Sequence, residues 1–492
     1  MIQVKQVKST VAARRLLPLA SAAAFVLLAG CAVSPTYDMP ATPAPQAFKE
    51  AAGWQPAAPA DALERGPWWT LFGDAQLNQL AESIEISNQN VAEAIASYEQ
   101  ARALVREQRA SLFPTVSLTG SGTRSGNGSG GSGGAGVGQQ SVSNNYRASI
   151  GASWEPDVWG KLRAGVTGAE ASAAASAADL ASARLSAQGE LATNYFSLRQ
   201  TDAQIALLTS TLDGYQRVLD ITRNRFNSGV AAKSDLLQAQ TQLANAQIDL
   251  STAVRQRAQL EHAIAILLGR APADFSLAVA PWNIVVPDVP LGVPSTLLER
   301  RPDIAAAERR VALANEQIGI ARSAYYPSLD LSASYGGGAS KLGDLFNASS
   351  SLWSLGLSAT QTLFNAGATT ASVDAAKAGR DAAVARYRQT VLAAFGAVED
   401  QLSATRALAE QIELRKVASS AADEVEQQML NRYNAGQVSY TDVVTAQVTA
   451  LSARRSLVQA QADRQTTAVA LIQALGGGWH VPGTPAQAQP AQ

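Results

Sequence analysis

The side chains that most often carry chemistry are scarce in this sequence. Among 492 residues there are one cysteine, Cys31, and two histidines, His262 and His480. The histidines lie far apart, neither has a partner at metal-ligand spacing, and no metal site is expected. His262, in QLEHAIAILLG, reads as a helix-surface residue. Asp and Glu are scattered along helical patterns as solvated faces instead of converging as an acid–base pair would. The stretch SGTRSGNGSGGSGGAGVGQQ, residues 121–140, formally matches a dinucleotide fingerprint at Gly126, Gly128 and Gly131 and a nucleophile elbow around Ser132. No helix follows it, and its composition alone generates such matches. The sequence carries no enzyme signature and requires no cofactor. With 39 Lys plus Arg against 40 Asp plus Glu and no long like-charge run, no nucleic-acid partner is expected.

Two features remain. The first is Cys31 itself. Lys5, Lys8, Arg14 and Arg15 form a basic region, and Leu16 to Leu28 an apolar one too short to span a bilayer comfortably, which is the pattern of an export signal. A lone cysteine in an exported chain makes no internal disulfide. Leu28-Ala29-Gly30-Cys31 resembles the lipobox of bacterial lipoproteins, in which the signal is cut before the cysteine and its thiol and new amine are acylated. The resemblance implies a covalent lipid on Cys31, enough acyl chain for a stable anchor. The alternative is that Cys31 is an incidental part of a discarded signal. Ala32 follows, where relatives retained in the inner membrane often carry Asp, so the resemblance points to the outer membrane.

The second feature is a doubled turn. RFNSGVAAKSDLLQAQ at 225–240 returns as RYNAGQVSYTDVVTAQ at 432–447, a shift of 432 − 225 = 207. Gly229 and Gly436 each follow a helix end, where a left-handed residue is wanted. Ser234 or Thr441 is placed to cap the next helix, and Asp235 or Asp442 sits in its first turn, where the helix dipole favours an anion. Capping leaves Arg225, Arg432 and the aromatic-Asn that follows each of them unexplained, along with the Ala-Gln beyond.

Around the turns the chain carries a second copy of itself. NVAEAIASYEQARALVREQRASLFPTVSL at 90–118 lies on DIAAAERRVALANEQIGIARSAYYPSLDL at 303–331, a shift of 213 that puts Pro114 on Pro327. Val158-Trp159-Gly160 falls near Leu363-Phe364-Asn365. In each half a helix of about 30 residues stops at the aromatic-Pro pair, because Pro cannot continue it. Alternating segments follow: Val116, Leu118 and Gly120 oppose Ser117 and Thr119, and Tyr146, Ala148, Ile150, Ala152 and Trp154 oppose Arg147, Ser149 and Ser153. The second half repeats this with Leu329, Leu331, Ala333 and Tyr335, then Trp353, Leu355, Leu357 and Ala359. Alternation over about nine residues suits a tilted membrane strand. It also suits a half-buried soluble strand; small Ser and Thr on the polar faces, and Tyr146, Trp154, Tyr335 and Trp353 expected at strand ends as an interfacial girdle, favour the membrane. Four strands cannot close a barrel and an open edge cannot sit in lipid, so copies must join. Residues 121–140 and 336–351 read as loops between strands. No proline interrupts Trp159 to about Phe226, or Asn365 to Tyr433, so each predicted helix is roughly 100 Å long at 1.5 Å per residue. A helix of about 35 residues follows each, at 234–268 and 441–475.

These residues resemble the outer membrane factors, the TolC-like proteins, and within them the OprM/NodT-type lipoprotein branch of efflux outer-membrane channels. WWTLFGD at 68–74, LLERRPDI at 297–304 with Glu308, both aromatic-Pro junctions and the doubled turn carry the resemblance. It implies a mainly α protein with membrane β: a homotrimer in which four strands per chain, from an internal duplication, make one twelve-stranded β-barrel, continued by an α-helical barrel of long coiled-coil helices. The implied division is a lipoprotein signal peptide (1–30), an N-terminal anchor and equatorial segment (31–75), a first repeat (76–270, hairpin 115–154), an equatorial linker (271–295), a second repeat (296–476, hairpin 328–362) and a C-terminal tail (477–492). The function implied is a passive exit duct for drugs or other toxic small molecules, docked through a periplasmic adaptor on an inner-membrane pump of the RND type. Pro114 and Pro327 are the helix-to-strand junctions. Arg225, Gly229, Asp235, Arg432, Gly436, Asp442 and Thr445 lie at the periplasmic tip, where rings of Asp235 or Asp442 would narrow the resting pore. Relatives carry Asp-Ala-Gln-Arg where this chain has Thr445-Ala446-Gln447-Val448, so gate details do not transfer. The competing readings are a periplasmic adaptor or coiled-coil assembly lipoprotein and an outer-membrane duct for type I polypeptide secretion.

Overall fold

The computed structural model describes residues 33–41, 45, 47–50, 67–126, 142–287 and 301–477. Cys31 and the signal peptide, residues 127–140 of the Gly/Ser loop, residues 288–295 of the linker, Leu297 to Arg300 and the tail beyond 477 lie outside the described residues.

Helix α1 (Ala75–Ser87) and α2 (Gln89–Ala110) precede strands β1 (Thr115–Gly126) and β2 (Val142–Trp154); α3 (Lys161–Asn227) and α4 (Lys233–Leu267) follow. The second half gives α5 (Pro302–Ser323), β3 (Ser328–Ala339), β4 (Ser351–Thr360), α6 (Ala368–Asn434) and α7 (Tyr440–Ala474). The duplication is plain in the lengths: α3 and α6 have 67 residues each, α4 and α7 have 35 each.

Three expectations need correction. The helix before β1 is not one piece, because Asn88 interrupts it: its amide donates to Leu267 O at 2.7 Å and its carbonyl oxygen accepts from Val91 N at 3.1 Å, starting α2 afresh. Gly160 corresponds to Gly367, not Asn365, since each stands in the left-handed region (φ 81 and 86) just before a long helix. Trp159 therefore falls on Ala366. The strands, at 10 to 13 residues, outrun the alternating segments, because Gly and Ser extend the pairing without bulky side chains. As a result only Trp154 ends a strand, while Tyr146, Tyr335 and Trp353 lie inside theirs.

Two compact units result. One comprises Met1–Pro40, Glu99–Ala174 and Glu308–Ala385, the other Ala41–Tyr98, Ala175–Ala307 and Arg386–Gln492. The first holds a four-stranded antiparallel sheet in the order β1-β2-β3-β4. Pro114 and Pro327 each sit just before a strand, after matching turns in which Phe113 N donates to Ala110 O and Tyr326 N to Ser323 O, both at 3.0 Å. Trp159 stacks on Tyr326 with centroids 4.8 Å apart and donates to Pro327 O at 2.7 Å. Residues after the signal run along α5: Asn315 donates to Pro35 O at 2.9 Å and Tyr37 donates to Glu308 at 2.5 Å.

In the second unit the core is built where WWTLFGD meets α3. Trp68, Trp69 and Phe72 are buried, and Phe72 packs on Phe196 at 4.9 Å. Asp74 caps α1 through Gln76 N and Leu77 N, at 2.9 and 3.0 Å, and accepts from Tyr195 OH at 2.7 Å. Arg301 forks onto Asp303 at 3.0 and 2.7 Å and donates to Ala474 O at 2.9 Å, so this part of LLERRPDI is a tied helix start.

Candidate functional site

The doubled turn is built by local backbone chemistry. In the first copy Gly229 N donates to Phe226 O and Val230 N to Arg225 O; in the second Gly436 N donates to Tyr433 O and Gln437 N to Arg432 O, all at 2.8 to 2.9 Å. This paired pattern satisfies the last carbonyls of α3 and α6 and requires the left-handed φ of 74 and 75 that Gly229 and Gly436 adopt.

The following helix starts differ from the expectation. Neither Ser234 nor Thr441 is the cap. Helix α4 begins after Ala232, which offers no side-chain acceptor, and α7 begins after Ser439. Asp442 Oδ2 accepts from Ser439 N at 3.1 Å and from Ser439 Oγ at 2.8 Å, closing a capping box. Asp235 has no such backbone to serve and, among the described residues, accepts from its neighbour Ser234 Oγ at 3.2 Å. Thr445 Oγ1 donates back to Thr441 O at 2.9 Å and stays exposed.

The two arginines also part company. Arg225 Nη1 donates to Tyr433 O at 2.8 Å, and its guanidinium lies 4.6 Å from the Tyr433 ring centroid, a cation–π contact between the two copies of the turn. Tyr433 is 3 % exposed and packs on Tyr440 at 5.4 Å, in a cluster with Val218, Leu219, Ala239 and Val443. Burial, with Tyr433, Tyr215 and Asp235 nearby, pushes the Tyr440 phenol well up. Arg432 is exposed. Gln447, of the second Ala-Gln pair, is buried with Oε1 unbonded, whereas Gln240 is exposed.

The sheet presents a different surface. Its registers, Leu118 with Ile150, Ile150 with Tyr335 and Tyr335 with Trp353, carry one apolar face unbroken across four strands. That face is open, with Leu118 81 % and Trp353 77 % exposed. The opposite face is polar and mostly small, with Arg147 and Asp330 as its charged members: Thr119 and Ser149 hydroxyls meet at 2.9 Å, and Ser334 and Ser354 at 2.8 Å. Tyr146, Tyr335, Trp353 and Trp154 all lie on the apolar face. Edges β1 and β4 have no strand partner among the described residues. An apolar sheet face backed by a wet one suits lipid on one side and water on the other. Among the described residues no helix is long and apolar enough to cross a membrane, and none brings together three potential metal ligands.

A membrane sheet of this kind, joined to paired helices of 67 and 35 residues, defines an outer-membrane channel protein of the TolC-like fold. The chain belongs to the outer membrane efflux protein family, whose model matches residues 80–270 and 293–477. It is 32 % identical over 458 residues to the probable efflux pump outer membrane protein TtgC of Pseudomonas putida, covering 92 % of this chain and 94 % of that one. It is 29 % identical over 466 residues to the cation efflux system protein CusC of Escherichia coli, covering 94 % and 99 %. Among solved structures the outer-membrane channel OprN superposes with a TM-score of 0.82 at 28 % identity, covering 91 % of this chain and 99 % of that one. The open state of the MtrE outer membrane channel of Neisseria gonorrhoeae gives 0.79 at 28 %, covering 91 % and 98 %. The protein is thus an outer-membrane efflux channel and not an enzyme.

Proposed function

We propose that three copies join their sheets edge to edge into one twelve-stranded barrel, with α3, α4, α6 and α7 of each copy continuing it as a helical duct across the periplasm. The observation that carries this is the four-stranded sheet with an open apolar face and two edges unpaired among the described residues, which is incomplete in lipid until other copies supply the missing strands. The duct is passive and conducts drugs or other toxic small molecules. Relatives named for toluene and cation efflux fit a wide, wet path in which the pump selects the cargo. The remaining partners are an inner-membrane pump of the RND type and a periplasmic adaptor that docks at the doubled turn. Acylation of Cys31 adds a lipid anchor to the outer membrane, residues 1–30 are removed on export, and residues 31–75 with 271–295 contribute an equatorial belt.

At the tip Asp235 is the better candidate for the resting constriction, because Asp442 is already engaged by Ser439. Electrophoresis of unboiled outer-membrane protein tests the assembly: a trimer band is expected, and a monomer or an inner-membrane location overturns it. Single-channel recording tests the tip. Asp235→Ala is expected to raise resting conductance and weaken cation preference more than Asp442→Ala, and no change in either variant removes the acidic ring. Labelled palmitate is expected to be lost in Cys31→Ser.

A further inference from the structure

On the polar face of the sheet, Arg147 of β2 and Asp330 of β3 are the charged side chains among the described residues. Both are exposed, and neither makes a hydrogen bond or ion pair among those residues. Strand β2 is flanked by β1 and β3 of its own chain, so the side chains beside Arg147 do not depend on how copies join. Directly across from it stand Ser121 and Gly338, and next along β2 on the same face stand Asn145 and Ser149. None is an acid, and Gly338 has no side chain to cover the guanidinium. Asp330 lies 338 − 330 = 8 residues along β3 from Gly338, about 26 Å at roughly 3.3 Å per residue. Ions screen exposed charges beyond about 8 Å at physiological salt, so Asp330 does not neutralise Arg147.

The two charges sit toward different ends of the sheet. Helices join it at Thr115, Trp154, Ser328 and Thr360, and the β1–β2 and β3–β4 connections lie at the other end. Asp330 is near the helix end. Arg147 is in the half of β2 nearer the connections, at the level of Gly338, the last residue but one of β3. The connections bring no net acid: from Ser125 to Tyr146 the sequence has no charged residue, and between Ala339 and Ser351 Lys341 and Asp344 offset one another. Arg124 belongs to the other surface, since its register places it with Leu118 on the apolar face.

We propose that Arg147 is a specificity-determining residue: copies of it form a positive ring in the connection-side half of the barrel that favours anionic over cationic solutes, and Asp330 reverses that preference at the helix end. The inference rests on the trimeric duct reading, because only closure puts the polar face around a lumen. Side chains fill a barrel of about eight strands, and one of about sixteen leaves a wide channel, so at twelve an arginine reaches well into the path. A charged ring between low-dielectric walls focuses its field and raises the local counter-ion concentration about tenfold or more. The sign is opposite to that of Asp235 at the doubled turn, so the preferences of barrel and turn reside in different residues.

The test compares how fast charged thiol reagents react inside the barrel. Full-length protein in lipid vesicles carries a thiol from Ser121→Cys, across from Arg147, or from Ser358→Cys, across from Asp330. Protein carrying Cys31 alone is the background. An anionic sulfonatoethyl and a cationic trimethylammonioethyl methanethiosulfonate are used, each rate divided by that for a free small thiol. A lowered thiol pKa beside Arg147 speeds both reagents alike and cancels in their ratio. With Ser121→Cys the anionic reagent is expected to react about tenfold faster than the cationic one, and with Ser358→Cys more slowly. Adding Arg147→Gln should bring the first ratio to about one, Arg147→Glu should invert it and Arg147→Lys should keep it, while Arg124→Gln leaves it unchanged. Arg147 is exposed and bonds to nothing described, so these variants are expected to fold, which the trimer band of an unboiled gel checks. A first ratio near one with Arg147 in place, or one that survives Arg147→Gln, overturns the proposal and leaves the duct reading standing if the trimer band is present. Absence of that band from the unaltered protein overturns both.

Discussion

At the residue scale, the acids of the doubled turn were visible in the sequence while their partners were not. Asp235 and Asp442 occupy equal positions in the repeat, yet Ser439 turns one into half of a capping box and Ala232 leaves the other without a cap. Asp442→Ala should therefore cost about 1 kcal/mol, the usual worth of a cap, and Asp235→Ala less, read as the difference in thermal midpoint between the two variants. Serine directly before the aspartate in one copy and three residues before it in the other is a readable signal, but the likeness of the two motifs concealed it. Tyr195 gives a second prediction. Burial raises its phenol from 10 to about 12, opposed by hydrogen bonding to Arg199 and assisted by Asp74. The folded state favours the neutral form, so the stabilisation is complete below pH 10 and is lost as pH rises through about 12. The thermal midpoint of the unaltered protein should fall more steeply over that range than that of Tyr195→Phe. Equal slopes would remove Tyr195 from the alkaline response.

At the scale of elements, helix lengths and strand starts were legible because proline and glycine punctuate them; Pro114, Pro327, Gly229 and Gly436 stand where the backbone changes course. Placing a side chain there tests only the backbone, since nothing lies within 4 Å of a Cβ at Gly229 or Gly436. Alanine at either should cost about 1 kcal/mol through its left-handed φ, measurable by thermal unfolding. Gly319 works by closeness: a Cβ there would come within 2.9 Å of the Ser34 Cα. Gly319→Val should lift the N-terminal segment from α5 and expose residues 34–37 to protease while leaving the sheet intact. None of this was readable from α5, whose glycine looks like any other in an Ala-rich helix. The ion pairs Arg199-Asp202 and Arg257-Glu261 were equally hidden, because their spacing is that of ordinary surface pairs. Only the fold reveals that their arginines also donate to the backbone after α4, at Ala278 O and Leu277 O.

At the scale of the whole molecule, alternation announced the strands but not the continuity of their apolar face, which depends on the registers linking Leu118, Ile150, Tyr335 and Trp353. A cysteine on the polar face of β1 at Ser121 and another on β4 at Ser358 should be bridged by a bifunctional thiol reagent into species of more than one chain; bridging only within a chain would argue against closure by copies. The two unpaired edges have a genetic consequence as well. If each barrel needs three sound chains, an edge-defective copy made alongside the normal one spoils every assembly it enters. Random mixing of equal amounts would leave about one barrel in eight wholly normal. A single faulty allele would then act as a dominant sensitiser to toxic compounds, where loss of the same gene would be recessive.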